Sequence, residues 1–185
     1  IGLSLVSGLL LLLAVLAGAL YVITPLQLRE TEAHSAGHFA LVIASCLAAV
    51  AAGVMYWAPK MTGRQAADGL GKANVLVLLA GGALAGLPLI LLGFATKFDG
   101  LADAADALWG ISVAGAALLA LGGLLILLAL VSTGRGASVE GDAGGTGQTL
   151  EWACSSPPPV GNFGELATVR TPEPLLDAAE PAEEA

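Results

Sequence analysis

ALWGISVAGAALLALGGLLILLALVS, residues 107–132, decides the class of fold, because it holds no Asp, Glu, Lys or Arg. About 20 apolar residues wound as a helix cross a hydrocarbon core of about 30 Å. The same pattern recurs three times. Charged residues are missing from 1–28, 33–59, 73–96 and 107–134, gaps of 28, 27, 24 and 28 residues. The 185-residue chain is 56% hydrophobic and 12% charged, with mean hydropathy +0.83. A soluble domain carries about 25% charged residues. These features exclude a water-soluble enzyme, a nucleic-acid binder and a disulfide-stapled secreted domain.

The expected fold is an all-α integral membrane bundle of four transmembrane helices, at about 1–24, 35–58, 73–96 and 107–132. An extended, mostly irregular tail follows over 133–185. The first span should end at Thr24-Pro25 and the second at Pro59, since proline disfavours helix in the residue before it. Pro88 inside the third span predicts a kink, tolerated where a neighbour satisfies the freed carbonyl. Ala49 with Gly53, and Gly82 with Gly86, place small residues at helix-face spacing and predict close helix approach.

The net charge of −8 divides unevenly, −1 over residues 1–132 and −7 over the tail. Acidity therefore describes the tail, and no polybasic patch reads anionic lipid or nucleic acid. Lys60, Arg64 and Lys72 make 59–72 the most basic loop. Positive-inside then puts that loop, both chain ends and the tail in the cytoplasm, with the lipid bilayer as the immediate partner. Cys46 and Cys154 lie far apart and lack metal or redox spacing. Ile1 stands where a start methionine would, without a basic flank, so a piece of a longer reading frame is expected. The tail is Gly-, Ser- and Thr-rich before Pro157-Pro158-Pro159, which predicts extended polyproline II. It reads either as a solvated tail or as a strip docked on the cytoplasmic face.

Polar residues inside or beside the spans are the candidate sites. Glu30, His34 and His38 stand four apart, one face of a continuous helix. Glu30 and His34 could hold a divalent metal. The plainer reading is interfacial polar residues near water with a hydrogen-bonded His38. Tyr21, Tyr56, Trp57 and Trp109 near span ends read as an aromatic belt. Asp99, Asp103 and Asp106 read as a solvated acidic loop, and residues 141–147 lack the lysine of a phosphate loop.

Three stretches carry a family resemblance. Tyr56-Trp57-Ala58-Pro59-Lys60-Met61-Thr62-Gly63-Arg64 closes the second span, and Pro88 precedes Leu92-Gly93 in the third. The tail reads Thr149-Leu150-Glu151-Trp152, then Ser155-Ser156-Pro157-Pro158-Pro159 and Phe163. Together they resemble the C-terminal third of subunit I of bacterial haem–copper cytochrome c oxidases. The four spans would then be the last four of a twelve-helix bundle in the bacterial cytoplasmic membrane. The resemblance implies haem and copper in the parent protein, other oxidase subunits and the preceding helices as partners, and electron transfer to oxygen coupled to proton translocation. This portion would mainly be scaffold.

The sequence departs from that family where its cofactors need ligands. The family's tenth helix carries H-F-H for two haem irons, preceded by L-H-D-T at a divalent-metal site. Counting back from Pro59 without a gap, the two histidines fall on Gly37 and Phe39, and L-H-D-T falls on Leu28-Arg29-Glu30-Thr31. One gap would make His38 a haem ligand but leave Ala40 in the other position. The arginine pair expected after Leu92-Gly93 is missing, and copper ligands would lie upstream of Ile1. A haem-free relative that acts as a structural or assembly partner is the alternative reading.

Overall fold

The computed structural model describes residues 1–28, 31–95, 97–139, 149–152, 154–161, 169 and 171–172. Helices α1 (Gly2–Ala19), α2 (Glu32–Thr62), α3 (Asp68–Leu92) and α5 (Ala105–Ser132) are long and apolar enough to cross a membrane. A short α4 (Asp99–Asp103) precedes α5. The chain is an all-α membrane bundle.

Helix ends differ from the sequence expectations for local reasons. After α1 the chain tightens into two 3-10 turns, Leu20–Val22 and Thr24–Leu26, the second containing Pro25. Pro59 does not stop α2, which runs one turn further to Thr62. A proline removes its own N–H from the ladder and crowds the carbonyl four residues before it, but leaves the following N–H groups able to bond. Below it, Thr62 Oγ1 donates to the Ala58 carbonyl at 2.8 Å and Gly63 N–H to the Pro59 carbonyl at 2.9 Å. Gly63 then leaves the helix with φ +67°, the left-handed ending that glycine favours. Helix α3 starts earlier than expected, with Asp68 in its first turn, where an acid complements the helix dipole. It stops at Leu92, and the next turn tightens through Phe94 N–H to the Leu91 carbonyl at 3.0 Å.

Two compact units share the chain. The first comprises residues 1–52 and 69–128. Within it α3 is central, with 44% of its apolar span buried against 28% in each of the others. Its glycines explain why. A Cβ added at Gly82 would stand 2.8 Å from atoms of Ala44 and Leu10, and one at Gly86 would stand 2.6 Å from Leu41 Cγ. On the other side, Gly81 packs against Leu119, and Gly115 is pressed against the backbone of Leu84 and Ala85. Backbones that approach this closely gain dispersion contacts, the main force between helices in lipid. Gly82 and Gly86 thus meet expectation. Ala49 and Gly53 do not, because Ala49 is exposed and a Cβ at Gly53 would meet only Trp57.

Two polar contacts fasten the same unit. Ser7 Oγ donates to the Ser45 carbonyl and Ser45 Oγ to the Ser7 carbonyl, each at 3.0 Å, a reciprocal clasp between α1 and α2. Ser112 Oγ on α5 donates to the Ala85 carbonyl at 2.5 Å. The carbonyl that Pro88 leaves without its helical donor is the adjacent one, of Leu84, so this hydroxyl does not serve the freed carbonyl itself. Each such interhelical bond contributes roughly 0.6–2 kcal/mol in a membrane.

The second unit comprises residues 53–68 and 129–185. It joins the end of α2 to the end of α5 and the tail. Arg64 and Ser138 form an antiparallel bridge, with Gln65 N–H to the Ala137 carbonyl and Val139 N–H to the Gly63 carbonyl, both 2.9 Å. Ser132 Oγ accepts from Ala67 N–H at 2.9 Å. The Ser156–Pro157 bond ahead of the proline run is cis.

Candidate functional site: the histidines of the second span and the lysine clasp

His34 lies in the first turn of α2 and has no exposed surface. It is packed inside the protein rather than solvated. Its burial follows from the turns after α1, which bring Tyr21 over α2. Tyr21 meets the His34 ring edge-on at 5.0 Å and the His38 ring at 5.7 Å, while its hydroxyl donates to Ser35 Oγ at 3.1 Å. Phe94, just past α3, approaches His34 edge-on at 6.1 Å. A Cβ at Gly93 would stand 2.5 Å from His34 Cβ, so only glycine fits there.

His34 Nε2 lies 3.0 Å from the Ala17 carbonyl oxygen. A carbonyl only accepts, so Nε2 carries the proton. Ala17 belongs to the last turn of α1, whose carbonyls have lost their intrahelical donors. His34 Nδ1 is buried without a hydrogen-bond partner among the described residues. The hydrogen bond expected at His38 is therefore found at His34. His38 is partly buried, and its Nε2 lies 3.2 Å from where a Cβ on Gly18 would stand.

These residues do not fit an axial haem ligand. At Gly37 a Cβ would come within 2.6 Å of the Gly86 carbonyl oxygen and 2.8 Å of Ile90 N, so helix α3 fills the space a side chain would need. Phe39 has no lone pair, and its ring is 64% exposed. His38, the gapped alternative, faces the backbone of α1 at Gly18 where a flat macrocycle would need an open face. For a metal, no group of three or more His, Cys, Asp or Glu comes together among the described residues. Glu30, the expected companion of His34, lies outside them.

The second cluster was not read as a site from sequence. Lys60 is only 5% exposed. Its ammonium donates to the Cys154 carbonyl at 2.5 Å and the Trp152 carbonyl at 3.4 Å, and sits 5.4 Å from the Trp152 ring centroid. Trp152 is 5% exposed and packs edge-on against Tyr56 at 4.9 Å, and Tyr56 in turn packs against Trp57 at 5.5 Å. Tyr56 is thus a packing partner of the tail as well as a span-end aromatic. Gly63 completes the seat, since a Cβ there would stand 2.6 Å from Pro157 Cδ. Arg64 Nη1 donates to the Gly136 carbonyl at 3.1 Å. At the edge, the Glu151 carboxyl is held below the usual carboxylate range, first by the Thr149 side chain and then by its own backbone amide. The available signal was the joint occurrence of a K-M-T-G-R loop and an L-E-W strip. Phe163 lies outside the described residues.

A four-helix membrane unit with this loop and this strip defines a class, the subunit-I-like membrane proteins. No family model matches the sequence. Cytochrome c oxidase subunit 1 of Bacillus sp. (strain PS3) is 35% identical over 143 residues, 70% of this chain and 22% of that protein. A Streptomyces avermitilis protein provisionally named cytochrome c oxidase subunit 1-beta is 35% identical over 176 residues, 90% of this chain and 31% of its own length. Cytochrome c oxidase subunit 1 of Bacillus subtilis (strain 168) is 30% identical over 162 residues, 80% of this chain and 25% of that protein. The chain belongs to the cytochrome c oxidase subunit I family, as a C-terminal part of such a subunit or a diverged paralogue. It spans about a fifth to a third of the length of these relatives. It is a bacterial multi-pass membrane protein.

Proposed function

We propose that this chain serves as the C-terminal scaffold of a subunit I-type protein in an aerobic respiratory oxidase, closing the helical bundle and fastening its tail on the cytoplasmic side. The observation that carries this reading is the Lys60 clasp. It joins the last turn of α2 to the tail strip, two of the segments that carry the family resemblance. The basic residues Lys60, Arg64 and Lys72 support the cytoplasmic orientation. Haem and copper would supply the oxygen chemistry of the whole assembly. This chain's own residues would align helices and cover a buried ammonium.

The test is purification of the affinity-tagged natural protein, in full, from its own membranes in mild detergent. Other oxidase subunits together with haem and copper should co-purify. A protein that comes away free of any oxidase subunit would sink the proposal. Gly37 and Phe39 favour a second reading, a haem-free structural or assembly partner. Under it, the purified complex would also contain a separate subunit I that retains the haem-ligating histidines.

A further inference from the structure

We infer that the two histidines of α2 are fasteners for the end of α1, and that α2 supplies no axial ligand to a haem. The inference deepens the subunit-I-like reading, which says where such a ligand would be sought. It stands on the packing of three elements around His34.

Helix α1 ends at Ala19, well before its apolar sequence runs out, because the chain tightens into 3-10 turns ahead of Pro25. A helix that ends inside a membrane bundle leaves last-turn carbonyls to be satisfied by something other than water. His34 meets that need at Ala17, and doing so spends the proton of Nε2. Tyr21 from the α1 side and Gly93 with Phe94 from the α3 side then close around the ring. His38, one turn on, lies against Gly18 and the same Tyr21. Gly18 and Gly93 are the complementary half of the device, since a side chain at either would push an imidazole aside.

Iron ligation demands a deprotonated nitrogen with an open face for the macrocycle. Nε2 of His34 is protonated and donating, its Nδ1 is buried in a ring hemmed in by Tyr21, Gly93 and Phe94 with no open face, and Nε2 of His38 abuts α1. At Gly37, α3 backbone lies where a histidine side chain would have to go. The histidines thus join helices on the stretch of α2 in which the family's ligands would fall.

The full natural protein is purified with His34→Leu, His34→Gln and His38→Ala. Melting temperature in detergent and haem per protein by pyridine haemochrome are both read. His34→Leu should lower the melting temperature by roughly 2–10 °C, the effect of orphaning one buried carbonyl. His34→Gln, whose amide can still donate, should recover part of that shift. His38→Ala should leave the haem content and the reduced-minus-oxidised bands at the wild-type value, whatever that value is.

An unchanged melting temperature in His34→Leu would overturn the fastening role. Loss of haem or of low-spin bands in His38→Ala, with folding intact, would overturn the ligand claim. If His34→Leu loses haem and folding together, His34→Gln decides. Haem that returns with folding supports the inference, and haem that stays lost overturns it. Should the protein purify free of any oxidase, the proposed function fails while the melting arm still stands or falls alone.

Discussion

Asn74 on α3 is 2% exposed, and its side-chain oxygen is buried without a hydrogen-bond partner among the described residues, beside Gly122 of α5. A buried orphan acceptor costs about 1–3 kcal/mol, which an apolar residue of similar shape does not incur. Asn74→Leu should therefore be neutral or raise thermal stability in detergent by up to about 1 kcal/mol, whereas a clear loss would mean the oxygen is satisfied by an ordered water. Lys60 is the opposite case. Lys60→Met keeps the stem but removes the donor to two carbonyls, a cost of roughly 1–3 kcal/mol. It should release the tail, read as faster proteolysis between residues 139 and 160. Both residues show what single positions hid from sequence reading. Lys60 looked like a topological charge because its partners lie 92 and 94 residues away. His34 looked solvated because nothing local announces that Tyr21 folds over it.

At the scale of helices, four runs without charge were enough to locate the spans to within a few residues, since crossing a bilayer fixes both length and composition. The ends were less legible. Pro59 read as a stop, but Thr62 and Gly63 carry α2 past it. Contact faces were legible only in part, because a small residue permits close approach without requiring it. Gly8 and Gly86 make the distinction measurable. A Cβ at Gly8 meets nothing within 4 Å, so Gly8→Ala should be neutral or stabilising by up to about 1 kcal/mol through helix propensity. At Gly86 a Cβ would strike Leu41 and come within 2.9 Å of the Gly37 carbonyl. Gly86→Leu should cost about 3 kcal/mol or more, as overpacking does, and lower the melting temperature sharply.

For the molecule as a whole, the turn around Glu151 in the tail strip has a pH dependence with a definite sign. Glu151 has a folded-state pKa below its unfolded one, so its contribution is fully present above the ordinary carboxylate value and is lost as pH falls through the lowered folded value. Protease protection of the turn at 149–152 should stay level from pH 8 to about 5 and weaken only under more acidic conditions. Thr149→Val should move that weakening to higher pH. The class of the molecule was plain from its charge-free runs. That α3 backbone fills the space beside Gly37 became visible only in the fold, in a contact between residues about fifty apart in sequence.

The Lys60 clasp also has a direction in time. A ribosome adding about 5–20 residues per second exposes Lys60 roughly 5–20 seconds before the carbonyls of Trp152 and Cys154 exist. During that interval the ammonium must be held by water or a chaperone. Closure of the clasp thus waits until translation has reached the tail, and a nascent chain stopped short of Trp152 leaves the Lys60 cation without either carbonyl.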